Sequence, residues 1–199
     1  IDESEGYDRT HMNLPTTHVD LLRAVADVAD KVVVVLSNGS AVVMSDWEDG
    51  ADAILEGWLG GQAGGGAIAD LLTGAASPSG RLAESIPVAL TDIPAQLNFP
   101  GERGTVRYGE GTLIGYRGLD AARREVSYPF GHGLTYTTFE YSDLAVEAAE
   151  VTAATAPGDD VLTVRARVTN TGDRAGVAVP QLYVGTPDSQ VIRAPRELR

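Results

Sequence analysis

The chain has 199 residues, of which 43% are hydrophobic and 22% charged, a composition typical of a folded protein with one or two domains. Its 15 basic and 28 acidic side chains give a net charge of −13, which argues against nucleic acid and anionic membrane surfaces as partners because both attract basic patches. The lack of cysteine excludes disulfides, thiolate metal sites and a cysteine nucleophile.

The first part of the chain, up to Leu90, alternates helical and extended patterns. A helix is predicted to begin at an N-cap, Thr17, and to end near Asp30, because apolar residues recur every three or four positions between them. Residues 31–37 (KVVVVLS) form a continuous apolar run, which predicts a strand covered on both faces, as in a parallel sheet. Residues 51–58 (ADAILEGW) predict a second short buried strand.

A short helix and a long connection come next. Residues 67–72 follow a run of glycines and predict a helix that is closed by Gly74. This order of strands and helices favours a parallel sheet flanked by helices. Residues 91–128 are rich in proline and glycine and show weak periodicity, so they are predicted to form an ordered surface connection outside the core.

The end of the chain has a different texture, with short β-strands. Residues 160–168 (DVLTVRARV) alternate in side-chain character, which predicts a half-buried antiparallel strand. A turn at residues 170–173 leads to a second strand at 176–184, and residues 139–151 contain at least one more. So few strands cannot close a sandwich, and a partial all-β sandwich is therefore expected.

The strongest local signal lies at the start of the chain, where Glu5 precedes Gly6. Glycine leaves the backbone unobstructed, so a neighbouring carboxylate can approach a ligand closely. Asp8 and Arg9 could hold this loop through charge-assisted hydrogen bonds. One interpretation makes Glu5 a general acid/base, and the other makes the loop a solvated acidic segment. From the spacing alone, the solvated loop is the favoured interpretation.

Several other residues are candidates for a binding site. Residues 60–66 contain enough glycine for a phosphate cradle. They match neither a GxGxxG motif directly after a first strand nor a P-loop with its lysine, so packing of a helix start against the sheet is favoured. Trp58 could stack on a sugar ring, although its place in a buried strand pattern favours the core. One polar and aromatic cluster could line a substrate cleft or tie the connection down: Arg107, Tyr108, Glu110, Tyr116 and Arg117.

The three histidines, His11, His18 and His132, have no metal-ligand spacing to one another. No metal and no cofactor is therefore assigned. His132 lies between two glycines in a predicted turn, and its expected role is structural.

Motifs along nearly the whole chain resemble those of the glycoside hydrolase family 3 β-glucosidases. Residues 5–9 (EGYDR), followed by Leu14 and Pro15, are similar to the family's acid/base loop. Further similarities follow in the family's order at residues 32–39 (VVVVLSNG), 54–72, 78–82 (PSGRL), 107–117 (RYGEGTLIGYR) and 128–139 (YPFGHGLTYTTF). Residues 170–172 (NTG) and 181–184 (QLYV) resemble the fibronectin type III-like domain that closes these enzymes.

The resemblance implies a fold and a division of labour. The family joins an N-terminal barrel that bears an aspartate nucleophile, an α/β sandwich that bears a glutamate acid/base, and the fibronectin-like domain. Residues 1–134 would then be a partial α/β sandwich, a parallel sheet flanked by helices, and residues 135–199 a partial fibronectin type III-like domain. Glu5 would be the acid/base, while the barrel with its nucleophile would be missing.

Asp46 lies within residues 43–47 (VMSDW), which resemble the nucleophile motif of the missing barrel. These residues follow the second motif and precede the glycine run, which places Asp46 in the α/β sandwich. The favoured interpretation is therefore an N-cap or an exposed loop acid beside a packed tryptophan, Trp47.

The implied function is that of a part of a retaining exo-β-glycosidase, similar to a β-glucosidase, which hydrolyses O-glycosyl bonds of a β-glucoside or oligosaccharide. Substrate-binding residues are not assigned, and a cytoplasmic and a secreted location both stay open. One alternative is a non-catalytic carbohydrate-binding or structural module with a vestigial acidic loop. Another is a nucleotide-binding α/β domain, which depends only on the glycine run.

Overall fold

A computed structural model describes residues 5–148, residue 152 and residues 161–199. Within these ranges the strands pair into four two-stranded sheets, and no sheet closes into a barrel. The α-helices are α1 (Thr16–Ala26), α2 (Gly64–Thr73) and α3 (Tyr116–Ala121), and the strands are β1 (Val33–Leu36), β2 (Ala53–Glu56), β3 (Ile86–Pro87), β4 (Val126–Tyr128), β5 (Phe139–Ala148), β6 (Leu162–Asn170), β7 (Tyr183–Val184) and β8 (Glu197–Leu198). Short 3₁₀ helices span Glu48–Gly50, Leu90–Asp92 and Pro94–Leu97.

Helix α1 is shorter than the sequence pattern predicts. It begins after Pro15, which occupies the N-cap position in place of Thr17, and it ends at Ala26 instead of near Asp30. The apolar pattern continues to Val28, but this side chain is 86% exposed and so gains nothing from extending the helix. Helical stability in a protein comes mainly from packing of the apolar face, and that packing stops before Val28.

The two predicted apolar strands pair in parallel, with Val33 beside Ala53 and Leu36 beside Glu56. The expectation that β1 is covered on both faces is wrong in the part of the chain that the structure describes. Leu36 is buried, whereas Val33 is 51% exposed, because alternate side chains of a strand point to opposite faces and only one face of β1 meets the core. The exposed face continues at Val35.

The hydrophobic core lies beneath β1 and is built around the segment that follows it. Residues 41–44 (AVVM) are all buried, and Trp47 is only 4% exposed. The Trp47 indole N–H donates to the Val43 carbonyl at 2.9 Å, so the buried polar atom of this large side chain is satisfied. The remaining members of the core cluster are Met12, Leu36 and Ile86.

Helix α2 confirms the prediction of a short helix closed by glycine. Gly74 adopts a left-handed conformation with φ 76° at the C-cap, which an L-residue with a side chain rarely does. The helix packs near the end of β2, since a Cβ added at Gly57 would lie 3.8 Å from the Ile68 Cδ1 atom. The interpretation of the glycine run as a close-packed helix start is wrong for the described residues, because a Cβ added at any of residues 64–66 would meet no atom within 4 Å.

The connection of residues 91–128 contributes to the core after all, which corrects the prediction of a purely surface segment. Helix α3 buries Tyr116, Gly118 and Leu119. A Cβ at Gly118 would stand 2.2 Å from the Leu113 carbonyl oxygen, so only glycine allows this approach. Sequence periodicity could not detect a helix of this length, since it spans less than two turns.

Tyr116 joins three distant segments. Its ring stacks on Phe130 with centroids 4.6 Å apart and meets the Tyr183 ring edge-on at 6.0 Å. Its hydroxyl accepts a hydrogen bond from the Leu198 backbone N–H at 2.9 Å. An ion pair between Arg196 and Asp120, 2.8 Å long, lies in the same region.

The β-rich end contains one long antiparallel hairpin, β5 with β6, which runs from Phe139 opposite Asn170 to Ala148 opposite Leu162. This confirms strands in the two predicted regions, although residues 149–151 and 160 lie outside the described residues. The predicted half-burial is wrong here, because almost every side chain of β6 is exposed, on whichever face of the strand it lies. The strand predicted at residues 176–184 is reduced to Tyr183–Val184, since Pro180 has no N–H for a ladder.

None of the helices in the described ranges has both the length and the apolar character needed to cross a membrane.

Candidate functional site

The loops after β1 and β2 lie side by side because the two strands are parallel. The Gly57 N–H donates to the Leu36 carbonyl at 3.0 Å, and the Ser37 hydroxyl donates to the Trp58 carbonyl at 3.3 Å. Ligands of open parallel sheets bind outside the carboxyl ends of the strands. This edge is therefore the candidate site, and the question is which reactive side chains reach it.

The acidic loop of residues 5–8 is exposed to solvent. Gly6 has φ +95°, a backbone conformation that a residue with a side chain adopts only under strain. Tyr7 is 65% exposed. The structure thus places Glu5 on an exposed bend, with its neighbours facing solvent and its backbone turned by the glycine.

Arg9 connects this loop to the candidate site. One terminal nitrogen of its guanidinium, Nη2, donates to the Ser40 hydroxyl and, at 3.0 Å, to the Ala41 carbonyl. The prediction that Arg9 holds the loop through charged hydrogen bonds is confirmed, whereas Asp8 lies exposed. The end of the loop is thereby fastened beside the carboxyl end of β1.

A buried amide and a carboxyl group link the two strand ends. Asn38 is fully buried, and its side-chain nitrogen donates to the Ser40 carbonyl at 2.9 Å and to Glu56 at 3.3 Å. The other carboxylate oxygen of Glu56 accepts the Trp58 N–H at 2.9 Å. Burial raises the pKa of Glu56 above its usual value, against the lowering effect of these two hydrogen bonds.

Glu84 is the second carboxyl group at this edge. Loss of hydration raises its pKa, while a hydrogen bond from the Ala41 backbone and the positive charge of Arg9 oppose that rise. The negative charge of Glu84 also raises the pKa of Glu56. The site therefore contains two interacting carboxyl groups and one guanidinium, and both Glu84 and Arg9 form hydrogen bonds to the Ala41 backbone.

Sequence reasoning missed Asn38, Glu56 and Glu84 as site residues. One signal was present, since Glu56 is an acidic residue at the end of an apolar strand, directly before Gly57 and Trp58. Charged residues are rarely placed in buried strands without a partner.

A Glu56→Gln variant tests the burial of this carboxyl group through the pH dependence of stability. Below the usual pKa of a glutamate both states of the chain are protonated, and the buried group carries no charge. As the pH rises, the unfolded chain loses its proton first, because the folded pKa is raised, so wild-type stability falls. Glutamine does not titrate, and we expect the variant to gain relative stability as the pH rises from about 4.3, the usual pKa of a glutamate, through the raised pKa of the folded state.

The gain should be below about 1 kcal/mol, because Glu56 is only half-buried and solvent screens its charge. Glutamine has one acceptor oxygen, so it retains the hydrogen bond from the Trp58 N–H or the one from Asn38 but not both, and the loss of the other lowers the stability of the variant. Thermal unfolding midpoints across this pH range measure the effect, with Glu125→Gln at an exposed position as the matched control. A stability difference that stays constant with pH would contradict the assignment.

The other predicted candidates lie in different surroundings. Asp46 is exposed in a turn beside the buried Trp47, as the loop interpretation predicts, although Trp47 itself occupies the N-cap of the following 3₁₀ helix. Trp58 is half-buried and outside the core cluster, so its prediction as a core residue is wrong. Its backbone has φ 46°, an uncommon value for a large side chain.

The polar and aromatic cluster of the connection divides in two. Tyr116 and Arg117 belong to the aromatic stack described above, with the guanidinium 5.0 Å from the Tyr116 ring centre. Tyr108 is 80% exposed, and Glu110 instead accepts from Asn98 at 3.4 Å. The cluster therefore does not form a single cleft wall.

His132 fits its predicted structural role. Its ring lies 5.0 Å from that of Tyr128, and its backbone carbonyl accepts the Leu82 N–H at 2.8 Å. Burial lowers its pKa, with a further contribution from the positive charge of Arg81. Over the described residues, no group of three or more histidine and acidic side chains has an arrangement that could hold a metal ion.

Comparison with known proteins adds an independent line of evidence. Residues 1–136 match the model of the glycosyl hydrolase family 3 C-terminal domain. Over 197 residues the chain is 48% identical to thermostable beta-glucosidase B of Acetivibrio thermocellus and 47% identical to an exo-alpha-(1->6)-L-arabinopyranosidase of Bifidobacterium longum. Each match covers 99% of this chain and 25% of the relative.

Solved structures give the same result. A GH3 beta-glucosidase from Bifidobacterium adolescentis superposes with a TM-score of 0.91 at 44% identity, over 98% of this chain and 28% of that one. Beta-glucosidase 3B from Thermotoga neapolitana, in complex with glucose, gives a TM-score of 0.87 at 38% identity, over 98% and 27%.

The class of protein that these findings share is the glycoside hydrolases, since every protein named above is a glycoside-cleaving enzyme. The family match extends over more than half of the residues, and the chain therefore belongs to glycosyl hydrolase family 3. It has the family's C-terminal domain fold and spans about a quarter of the length of the relatives it matches.

Proposed function

We propose that the chain supplies the acid/base half of a retaining exo-β-glycosidase similar to the β-glucosidases. Glu5 protonates the glycosidic oxygen of the departing group and then removes a proton from the incoming water. A second region, a barrel domain outside this sequence, supplies the aspartate that attacks the anomeric carbon and forms the glycosyl-enzyme. In retaining enzymes the two carboxyl groups stand about 5–5.5 Å apart.

The observation that carries the proposal is the unequal coverage of the match. The match extends over 99% of this chain but over only 25% of the β-glucosidase. An activity of the whole relative needs the remaining three quarters as well. The position of residues 5–9 supports the same division, because the loop is exposed yet fastened by Arg9 beside the strand ends where ligands bind. An exposed carboxyl group on a fastened loop can reach across to a second region.

The same proposal assigns the two parts of the chain. Residues 1–134 are part of an α/β sandwich, whose sheet is extended beyond β1 and β2 by strands of the sandwich's own first half, which is separate from the barrel. Residues 135–199 are part of a fibronectin type III-like domain. The open face of β1 and the open faces of the β5–β6 hairpin support this, because exposed valines and leucines in strands are stabilised by further packing partners.

The substrate class that best fits is a β-glucoside or short β-linked oligosaccharide. Structural neighbours include a beta-glucosidase in complex with glucose. Arabinopyranosidases also occur among the relatives, so pocket residues outside this chain are expected to select the sugar.

Purified chain of residues 1–199 should not hydrolyse an aryl β-glucoside such as 4-nitrophenyl β-glucoside above the buffer rate. It has no second region to supply the nucleophile or to remove water from the acidic loop. The protein encoded by the complete reading frame should release nitrophenol at an enzymatic rate, and an Asp46→Asn variant of it should retain that rate.

Three results would contradict the proposal. One is turnover by the 199-residue chain alone, and another is loss of activity in the Asp46→Asn protein. The third is a reading frame without an upstream barrel, which would favour the carbohydrate-binding or structural module.

A further inference from the structure

We propose that Arg9 is a positioning residue for Glu5, because its guanidinium fixes the acid/base loop to the loop that follows β1. The inference rests on the proposed function of Glu5 and goes beyond it by naming a contact that fixes the end of the loop on which the carboxyl group lies. Arg9 itself touches no substrate in this proposal.

The geometry around Arg9 is that of a fixed anchor. Its Nη2 atom donates both to the Ser40 hydroxyl and to the Ala41 carbonyl, the latter at 3.0 Å. Its Nη1 atom is buried without a hydrogen-bond partner among the described residues, so the anchor consists of the two contacts made by Nη2. Two acceptors on consecutive residues define the direction of a planar guanidinium much better than one acceptor does.

The acceptors of Arg9 are themselves rigid. Ala41 is 3% exposed and belongs to the core cluster, and the Ser40 carbonyl accepts from the fully buried Asn38 at 2.9 Å. The negative charge of Glu84, which also accepts from the Ala41 backbone, lies close enough to interact with the guanidinium. Arg9 therefore attaches the loop to a rigid part of the core.

The loop before Arg9 depends on this anchor. Residues 5–8 are exposed, and Gly6 gives the backbone additional freedom. Glu5 lies four residues before Arg9, a chain distance of at most roughly 14 Å. Loss of the anchor removes a constraint on this loop, and a misplacement of a catalytic group by one ångström can cost about 100-fold in rate.

The fold does not depend on Arg9 in the same way. After the loop, the chain is held a second time at Met12, whose carbonyl accepts the Val43 N–H at 2.8 Å and whose side chain is in the core cluster. An Arg9→Met variant retains this second attachment and much of the aliphatic packing of the arginine side chain. Loss of the anchor should thus loosen the loop and leave the core folded.

The test compares two substrates in the protein encoded by the complete reading frame. Hydrolysis of 2,4-dinitrophenyl β-glucoside needs little protonation of its leaving group, whereas hydrolysis of phenyl β-glucoside needs a well-placed general acid. In Arg9→Met we expect the ratio of kcat/KM for the dinitrophenyl to the phenyl substrate to rise about tenfold or more. Ser40→Ala, which removes one acceptor and retains Arg9, should raise the ratio by a smaller factor.

Arg23→Met is the matched control, because Arg23 also donates from Nη2 to a backbone carbonyl, that of Asp46, at 3.1 Å. It should leave the ratio unchanged. An unchanged ratio in a folded Arg9→Met protein, with both substrates slowed equally, would show a purely structural role and overturn the inference. If Arg9→Met does not fold, an unchanged ratio in Ser40→Ala overturns it.

A Glu5→Ala protein in the same assay distinguishes failure of the positioning role of Arg9 from failure of the proposed function of Glu5. If Glu5→Ala raises the ratio and Arg9→Met does not, the positioning role fails and the proposed function stands. If Glu5→Ala itself leaves the ratio unchanged, the assignment of Glu5 fails and the positioning role fails with it.

Discussion

Replacing Glu5 with alanine should lower kcat/KM for phenyl β-glucoside about 10²- to 10⁴-fold in the protein encoded by the complete reading frame. The variant cannot protonate the departing oxygen, so substrates with poor leaving groups suffer most. Substrates with good leaving groups, such as 2,4-dinitrophenyl β-glucoside, form the glycosyl-enzyme without that help. Azide should then raise their turnover, because a small anion can attack the intermediate without a general base.

Glu102→Ala provides the matched control, since Glu102 is also an exposed glutamate in a loop. Its kcat/KM should equal that of the wild type for both substrates. Equal, modest losses on both substrates in Glu5→Ala, without any effect of azide, would mean that another group is the acid. Glu3 would then be the next candidate, although it lies outside the described residues.

Truncating Trp47 to alanine should produce the largest loss of stability. The indole is 4% exposed, belongs to the core cluster and donates to the Val43 carbonyl. Removing a buried aromatic side chain from a packed core costs about 3–5 kcal/mol. For a unit of this size the unfolding midpoint should fall by roughly 6–20 °C, as measured by differential scanning calorimetry.

The second tryptophan of the chain makes the control. Trp58 is half-buried and lies outside the core cluster, so Trp58→Ala should lower the midpoint by less than half as much. The comparison isolates packing, because the side chain removed is the same at both positions. If both variants lose the same stability, the core has been placed in the wrong part of the chain.

The predictions that held for the fold depend on local features of the sequence. The apolar run of β1 and the glycine that ends α2 act within a few residues of the structure they determine. Helix α3 could not be predicted in this way, because it is stabilised by Tyr116 stacking on a ring that lies beyond the next strand. Strand Tyr183–Val184 likewise owes its pairing to residues near the end of the chain.

The residues of the candidate site show the same difference between local features, which the sequence reveals, and contacts between distant segments, which it does not. Glu5 and Arg9 were visible as a motif, because they lie in one short loop. The contact between Asn38 and Glu56 spans eighteen positions, and it forms only after two strands have paired in parallel. Sequence alone gives no measure of burial for a glutamate, and therefore it could not indicate that the pKa of Glu56 is raised.

The three rings that meet at Tyr116 have a consequence for protein engineering and for natural variation. Phe130 and Tyr183 both pack against the ring of Tyr116, so the size of side chain allowed at Tyr116 depends on both neighbours. Substitutions there will be non-additive, and a replacement that is damaging alone can be tolerated when a neighbouring ring changes with it. Libraries should vary these positions together, and related sequences should show them changing in concert.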